Sequence, residues 1–407
     1  MHILQITPQL PWPPDNGGRM ALYQLVRQIG RRNRLTLLSL CDQDAAEGVE
    51  ALKPHCESIV TVRDQTGSLF SWLDAATSER PFSMARLHSR ALAKKAADIC
   101  GQRDIDLVHF DHLHTAAYVR AIPPQLPTLL REHNVESRIL ERFAETGVGP
   151  LLRPLMRRQA RALARYEGIS CARFDRCLAV TDVDAHRLRT LAPSARIDVL
   201  PDGVDTNFFR PEPFSAAEPD RLVTTGDYSW RPTRDGLDFL TEEIFPRVRD
   251  LVPGARLSVV GRAAPDALVR HGAARGIDVR GLVPDVRPEI ARGALFVSPT
   301  RIGSGIRIKI LEAMALARPV VSTTIGAEGI GAKDGEHLRL ADEPQAMAET
   351  IAQLLGDAGN SERMGRAASL LVERKYGWDS LGDELHTIYQ ELSGVGGMPQ
   401  QPSGTGA

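Results

Sequence analysis

From residue 303 to 312 the chain reads Gly-Ser-Gly-Ile-Arg-Ile-Lys-Ile-Leu-Glu, just after the apolar run 294–298. A buried strand that ends in a glycine-containing loop and then opens a helix is a natural place for an anion. Gly303 and Gly305 let the backbone approach a ligand closely. Free N–H groups at the helix start, together with the helix dipole, suit a diphosphate. Arg307 and Lys309 add positive charge, and Ser304 and Ile306 complete the loop. Glu312 falls about one turn into the helix, where a carboxylate can accept two hydrogen bonds from the cis-diol of a ribose. The plainer alternative is a loop that only closes a strand–helix unit, with Lys309 and Glu312 as a solvated i,i+3 pair.

Three stretches of the first half have a related form. Pro11-Trp-Pro-Pro-Asp-Asn-Gly17-Gly18-Arg19 follows the first strand and opens a helix, and its glycines again admit an anion. Asp106-Leu-Val-His109-Phe-Asp111-His112-Leu-His114 ends another buried strand. His109 there reads as a core histidine and His114 as a surface one. Arg131-Glu-His133-Asn134-Val-Glu136 follows the next strand, where Asn134 reads equally well as a helix cap with Glu136 in the first turn.

The elements that must position these groups alternate along the chain. Strands are expected at 2–7, 35–40, 58–62, 105–110, 128–132 and 176–180, with helices such as 18–31 and 91–100 between them. The second half repeats the scheme. Its strands are expected at 222–225, 256–261, 277–280, 294–298 and 319–322, its helices at 234–250, 265–275, 286–292 and 307–317. Short, nearly continuous apolar strands separated by helices argue for an α/β fold with parallel sheets covered on both faces. Each half reads as a Rossmann-like domain. Pro201, Pro211, Pro213 and Pro219 punctuate the boundary, so the domains are expected at 1–200 and 201–375. Residues 393–407, rich in Gly, Pro, Gln and Ser, are expected to be a disordered tail.

Composition narrows the function classes. A chain of 407 residues suits two domains, and a hydrophobic fraction of 43% is that of a globular protein. A formal net charge of -1 gives no bulk attraction to nucleic acid. No apolar run is long enough to span a bilayer, and no secretory leader is expected ahead of the first strand. The five scattered cysteines suggest neither a disulfide frame nor a zinc site, so no metal is expected and a cytoplasmic setting fits. Residues 150–167 carry an amphipathic pattern. Leu152, Leu155, Met156, Leu163 and Tyr166 share one face, and Arg153, Arg157, Arg158, Arg161 and Arg165 the other. The basic face suits either plain solvation or peripheral contact with anionic lipid at the inner face of a membrane.

The stretch Leu-Glu312-Ala-Met-Ala-Leu-Ala-Arg-Pro-Val-Val-Ser-Thr, preceded by a strand ending in Ser-Pro-Thr, resembles the signature of the retaining glycosyltransferases of family 4. Other pieces follow in that family's order. Leu200-Pro-Asp-Gly-Val-Asp-Thr-Asn-Phe-Phe-Arg-Pro211 is similar to its interdomain segment. Thr225-Gly-Asp-Tyr-Ser-Trp230 and Val279-Arg-Gly-Leu-Val-Pro-Asp285 are similar to later landmarks, and Tyr376-Gly-Trp-Asp379 is similar to the entry of its terminal helix, which the resemblance places at 376–392 crossing back to the first domain. The resemblance covers roughly 1–392. It implies the GT-B architecture, two Rossmann-like domains facing each other across a cleft. It also implies a nucleoside-diphosphate sugar as donor, no cofactor, and transfer to a glycan, lipid-linked or small-molecule acceptor with retained configuration.

The same resemblance assigns roles. Glu312 matches the ribose-binding second glutamate of the family's E-x7-E motif. Gly305, Ile306 and Arg307 fall where amides approach the diphosphate and sugar. Gly281 and Leu282 fall where the base stacks, and Gly17 and Gly18 face the donor across the cleft. Asp111 falls where the family has a histidine near the reacting sugar, with His112 next to it, so either could meet the acceptor. His133 falls on the acceptor side. Two departures stand out. Ser304 occupies the position of the first motif glutamate, which in the family holds a sugar hydroxyl. Asp235 occupies the position of a phosphate-binding lysine, and Arg231, Arg234, Arg307 or Lys309 must supply its charge, Arg307 being favoured by its place at the helix start. The chain shares the G-x-G-I-R-I-K-x-L-E form with a subgroup that builds bacterial polysaccharides. A nucleotide-sugar epimerase of the same fold and a non-catalytic nucleotide-sugar-binding scaffold are the alternatives.

Overall fold

The computed structural model describes residues 1–41, 45–63, 81, 84, 88–146 and 148–394. Two all-parallel sheets organise the chain. The first contains β1 (His2–Thr7), β2 (Arg34–Cys41), β3 (Ser58–Arg63), β4 (Leu107–Asp111), β5 (Thr128–Glu132), β6 (Arg176–Ala179) and β7 (Ile197–Val199), in the order β3-β2-β1-β4-β5-β6-β7. The second contains β8 (Glu218–Thr225), β9 (Arg256–Val260), β10 (Ile277–Gly281), β11 (Gly293–Ser298), β12 (Val320–Ser322) and β13 (Arg339–Leu340), in the order β10-β9-β8-β11-β12-β13. This is the α/β class expected.

The central strands read as nearly unbroken apolar runs because water reaches neither face. Every residue of β1, β4, β5 and β11 is buried. Ile3 sits opposite Leu35 on one side and Leu107 on the other. Burying each such side chain contributes about 1.5–3 kcal/mol. All the expected strands form, most within two residues of their expected ends, while β8 begins at Glu218 rather than at 222. β7 and β13 were not expected. The helix expected at 234–250 forms in pieces, Arg231–Phe239 and Phe245–Leu251 joined by a π-helical turn at Leu240–Ile244.

The chain crosses between the sheets twice. The first crossing, after β7, is held by Arg318, a fully buried arginine whose Nη2 donates to the carbonyls of Glu212 and Pro213, both at 3.0 Å. The second precedes the helix Trp378–Ser393, which returns to the first sheet and packs on the helix Gly17–Arg32. Gln28 donates to Asp379 at 3.2 Å, and Arg31 and Arg32 pair with Asp379 and Asp383. The crossings touch: Val204 bridges Gly377, and its N–H donates to the Tyr376 carbonyl at 2.8 Å. A Cβ on Gly203 would lie 2.6 Å from that carbonyl, so only glycine lets them meet.

The amphipathic stretch expected at 150–167 forms the helix Arg153–Cys171, with a correction to its apolar face. Burial begins at Ala160, so Leu163 is buried while Leu152 and Leu155 are 54% and 49% exposed. The first two turns project beyond the core, with the five arginines also exposed. Residues 395–407 of the expected tail lie outside the described residues.

Candidate functional site

In a parallel sheet, ligands collect at the carboxyl ends of the strands where the strand order reverses direction. The first sheet reverses between β1 and β4, the second between β8 and β11. After β1 a helix opens at Gly17 and Gly18, β4 ends at Asp111 with His112 next, and the run 299–307 follows β11. The two reversal points face each other: Gly17 lies beside Ile308, and Arg262, after β9, donates to Asp15 at 2.8 Å.

On the first sheet, β4 and β5 end in a compact charged cluster. Asp111 is fully buried and accepts from Gln5 Nε2 at 2.5 Å; its Oδ1 lies 3.3 Å from His133 Nε2 and 3.4 Å from His109 Nε2. Burial opposes its charge, yet His109 and His133 hold its carboxyl well below the usual carboxylate range. Arg131 donates to Asp202 at 2.8 Å, and His133 Nδ1 lies 3.5 Å from the same carboxylate. Burial and Arg131 work against a charged His133, but Asp202 and Asp111 raise its pKa. His112 stacks on His133 with ring centroids 3.9 Å apart and planes 13° apart. Burial, then the neighbouring His133, lower the His112 pKa well below its ordinary value. Its backbone sits at φ 67°, a left-handed conformation costly for a residue with a Cβ. His109, on the inner side, bonds the Tyr389 hydroxyl of the returning helix.

On the second sheet, the loop after β11 is shaped by Arg307. Its guanidinium turns back to donate to the carbonyls of Ser304, Gly305 and Ile325. Gly305 adopts φ 75°, and a Cβ there would lie 2.2 Å from the His133 carbonyl, so glycine is obligatory where the two halves meet. The helix Ile308–Ala315 then carries Lys309 and Glu312. Glu312 is half-buried and accepts no hydrogen bond from the described residues; burial raises its pKa to about 7, against the pull of Lys309. Gly281 has φ 67° and an open flank, and Leu282 beside it is exposed.

A polar seam joins the halves at this loop. Asp184, opening the helix Asp182–Leu191, accepts from the Ser304 hydroxyl and from Gly305 N at 3.1 Å. Ser304 Oγ in turn accepts from Val135 N at 3.0 Å. The Asn134 side-chain amide, with its nitrogen turned toward the loop, donates to the Ser304 carbonyl at 2.8 Å. Arg142 donates to the Gly303 carbonyl and to both carboxylate oxygens of Glu328, at 2.7 and 2.8 Å.

These contacts correct several expectations. Ser304 is 2% exposed and spends its hydroxyl on Asp184 and Val135, so it is a seam residue and not an open sugar contact. Asp111 has no exposed surface and contacts the histidines around it; His112 is the member of the pair that reaches the surface of the strand end. Arg307 braces its own loop. Arg234 pairs with Asp238 along its helix at 3.0 Å, and Arg231 lies over the Phe143 ring at 4.6 Å. Asn134 bonds across the seam instead of capping a helix. Reading the sequence missed Asp184, Arg142, Asp202 and Tyr389. Asp184 carried a signal: Thr181-Asp-Val-Asp184 is a capping box, and Thr181 Oγ1 does accept from Asp184 N at 3.0 Å.

Known proteins match this arrangement. The family model described as Glycosyltransferase Family 4 matches residues 15–208, and that described as Glycosyl transferases group 1 matches 219–357. A D-inositol 3-phosphate glycosyltransferase of Segniliparus rotundus is 28% identical over 244 residues, 55% of this chain and 54% of that protein. A GDP-mannose-dependent alpha-(1-6)-phosphatidylinositol monomannoside mannosyltransferase of Mycobacterium tuberculosis is 29% identical over 217 residues, 47% of this chain and 55% of that protein. The chain thus spans about half the length of the curated relatives it matches. Among solved structures, Anabaena HepE in complex with UDP superposes with a TM-score of 0.69 at 15% identity, covering 96% of this chain and 100% of that one. A sucrose-phosphate synthase from Thermosynechococcus elongatus gives 0.72 at 15% identity, covering 97% and 100%. With both sheets in the GT-B arrangement and one family model on each half, the chain belongs to the group 1, family 4 glycosyltransferases.

Proposed function

We propose that the protein transfers a sugar from a nucleoside-diphosphate sugar to a hydroxyl acceptor with retained configuration. The observation that carries this reading is the Glu312 carboxylate, without a hydrogen bond among the described residues, beside Lys309 on a helix that starts where the second sheet reverses and whose Ile308 lies beside Gly17 of the first half. Ribose and diphosphate are adjacent in a nucleotide, and the carboxylate and the cation are adjacent here. In the reaction the sugar C1–O bond to the diphosphate breaks and its electron pair stays on the diphosphate. The acceptor oxygen bonds C1, and its proton ends on the diphosphate, directly or through His112. Amide donors and positive charge aimed at the leaving group lower the barrier by stabilising the charge that develops there. Support comes from relatives named for GDP-mannose and from HepE structures with UDP and UDP-glucose.

The acceptor side of this reading is a lipid-linked or glycan chain. Leu151, Leu152 and Leu155 are exposed at 95%, 54% and 49%, beside five exposed arginines on the same projecting helix. Apolar and basic groups together suit peripheral contact with an anionic bilayer. Among the described residues no helix is long and apolar enough to cross a membrane. The deciding experiment is nucleotide release from UDP- and GDP-sugars, with and without acceptor extract, in wild type and Glu312→Ala. Acceptor-stimulated release of UDP or GDP, lost in the variant, is expected. Donor conversion without acceptor would point to an epimerase, and binding without turnover to a scaffold.

A further inference from the structure

We propose that Lys309 is the cation that meets the donor's diphosphate and steadies the charge it gains as the sugar leaves. The inference rests on the transfer reading above. Asp235, in the helix Arg231–Phe239 that follows β8, is acidic and paired with Arg301. The arginines around the loop are already engaged. Arg301 grips Asp235 with two hydrogen bonds, at 2.9 and 3.1 Å, and lies 4.2 Å over the Phe239 ring. Arg262 is divided between Asp15 at 2.8 Å and Asp227 at 2.9 Å. Arg234 is held by Asp238, Arg231 lies on Phe143, and Arg307 spends its donors on three backbone carbonyls.

Lys309 is placed differently. Its ammonium forms no ion pair among the described residues, and its one hydrogen bond there is to the Thr225 carbonyl, long at 3.3 Å. Thr225 ends β8, and β8 and β11 are the two strands between which the second sheet reverses. The ammonium therefore sits at the crevice where a parallel sheet receives its ligand. Glu312 follows three residues later on the same helical face. Burial and the nearby Arg307 draw the Lys309 pKa down to about 8, the mark of a cation short of counter-charge. A bound diphosphate supplies that charge, and a charge-assisted contact there strengthens as negative charge builds on the departing oxygen.

The test is titration of the full chain, as wild type, Lys309→Met and Lys309→Arg, with UDP, GDP, uridine and guanosine. Calorimetry follows the diphosphates and ligand-observed NMR the nucleosides. The methionine variant should lose about 10- to 100-fold in affinity for the diphosphate that wild type prefers. Its nucleoside affinity should be unchanged, and the arginine variant should recover most of the loss. Wild-type diphosphate affinity in Lys309→Met overturns the proposal and leaves the transfer reading standing. Equal losses for nucleoside and diphosphate overturn it too, since they mark a structural role. A wild type that binds neither UDP nor GDP sinks the transfer reading and the proposal with it.

Discussion

Replacing Arg142 with methionine keeps most of the apolar stem and removes the guanidinium that ties the Gly303 loop to the first half of the chain. Three hydrogen bonds go, two to Glu328 and one to the Gly303 carbonyl. The Arg142 side chain is 7% exposed and that of Glu328 is 23%. Breaking one side of a fully buried pair costs about 3–5 kcal/mol. Glu328 keeps part of its surface in water and can turn outward, so the lower end applies, about 3 kcal/mol. At about 1.4 kcal/mol per tenfold change, the seam should open roughly 100 times more often. Hydrogen exchange reads this directly. The Gly305 N–H, bonded to Asp184, and the Val135 N–H, bonded to Ser304, are protected only while the halves are docked. When reclosing outruns exchange, their rates follow the open population. Both amides should exchange roughly 100-fold faster in Arg142→Met, and amides in the middle of β1 and β11 should not change. Adding Glu328→Gln should accelerate them little further, because the two residues act as a pair. Exchange at Gly305 and Val135 within about threefold of wild type would refute the argument that this pair holds the seam.

Other outcomes follow from the same geometry. Glu167 is 1% exposed, accepts from Ser137, and is pushed by burial to about 7. The folded state thus binds its proton more tightly than the unfolded chain, so stability falls as pH rises from about 4.5 to 7, by roughly 3 kcal/mol. Glu167→Gln should flatten that part of the urea-midpoint profile; an unchanged slope refutes it. His112→Gly should lower kcat by about 10²–10⁴-fold without lowering the melting temperature, since glycine accepts φ 67° at no cost; a variant with full kcat would remove His112 from the chemistry. Leu152→Glu with Leu155→Glu should abolish co-sedimentation with anionic vesicles while leaving nucleotide binding intact, and retained vesicle binding would discard the membrane contact.

Sequence pattern carried the fold further than it carried the site. The central strands could be read because β1, β4, β5 and β11 are largely apolar runs with no wet face, a property of the chain itself. β7 and β13 escaped because three and two residues are too short to show any period. The helix Arg153–Cys171 shows a different limit. Periodicity says which side chains share a face, but how far the core extends beneath that face depends on neighbours, and here it stops before Leu155. At the site, residue type was legible and direction was not. Arg307 has the charge expected beside a diphosphate, yet its side chain is long enough to reach back to its own loop. Ser304 fell on the position of a motif carboxylate, but its partner Asp184 is 120 residues away in the chain. Asp111 and His112, adjacent in sequence, differ because one ends a strand inside the sheet and the other begins the turn outside it.

The returning helix sets an order on synthesis. Trp378, Leu381, Leu385, Ile388 and Tyr389 are all buried on the helix that packs against Gly17–Arg32, and Tyr389 supplies a hydroxyl that His109 bonds. A ribosome that has just passed Asp202 has made every histidine and carboxylate of the β4–β5 cluster, but not the helix that closes over it. The nascent first half must wait, with that apolar groove uncovered, until the whole second half has emerged. A chain cut anywhere before this helix therefore leaves the cluster unsealed, so an assembled centre requires residues 378–393.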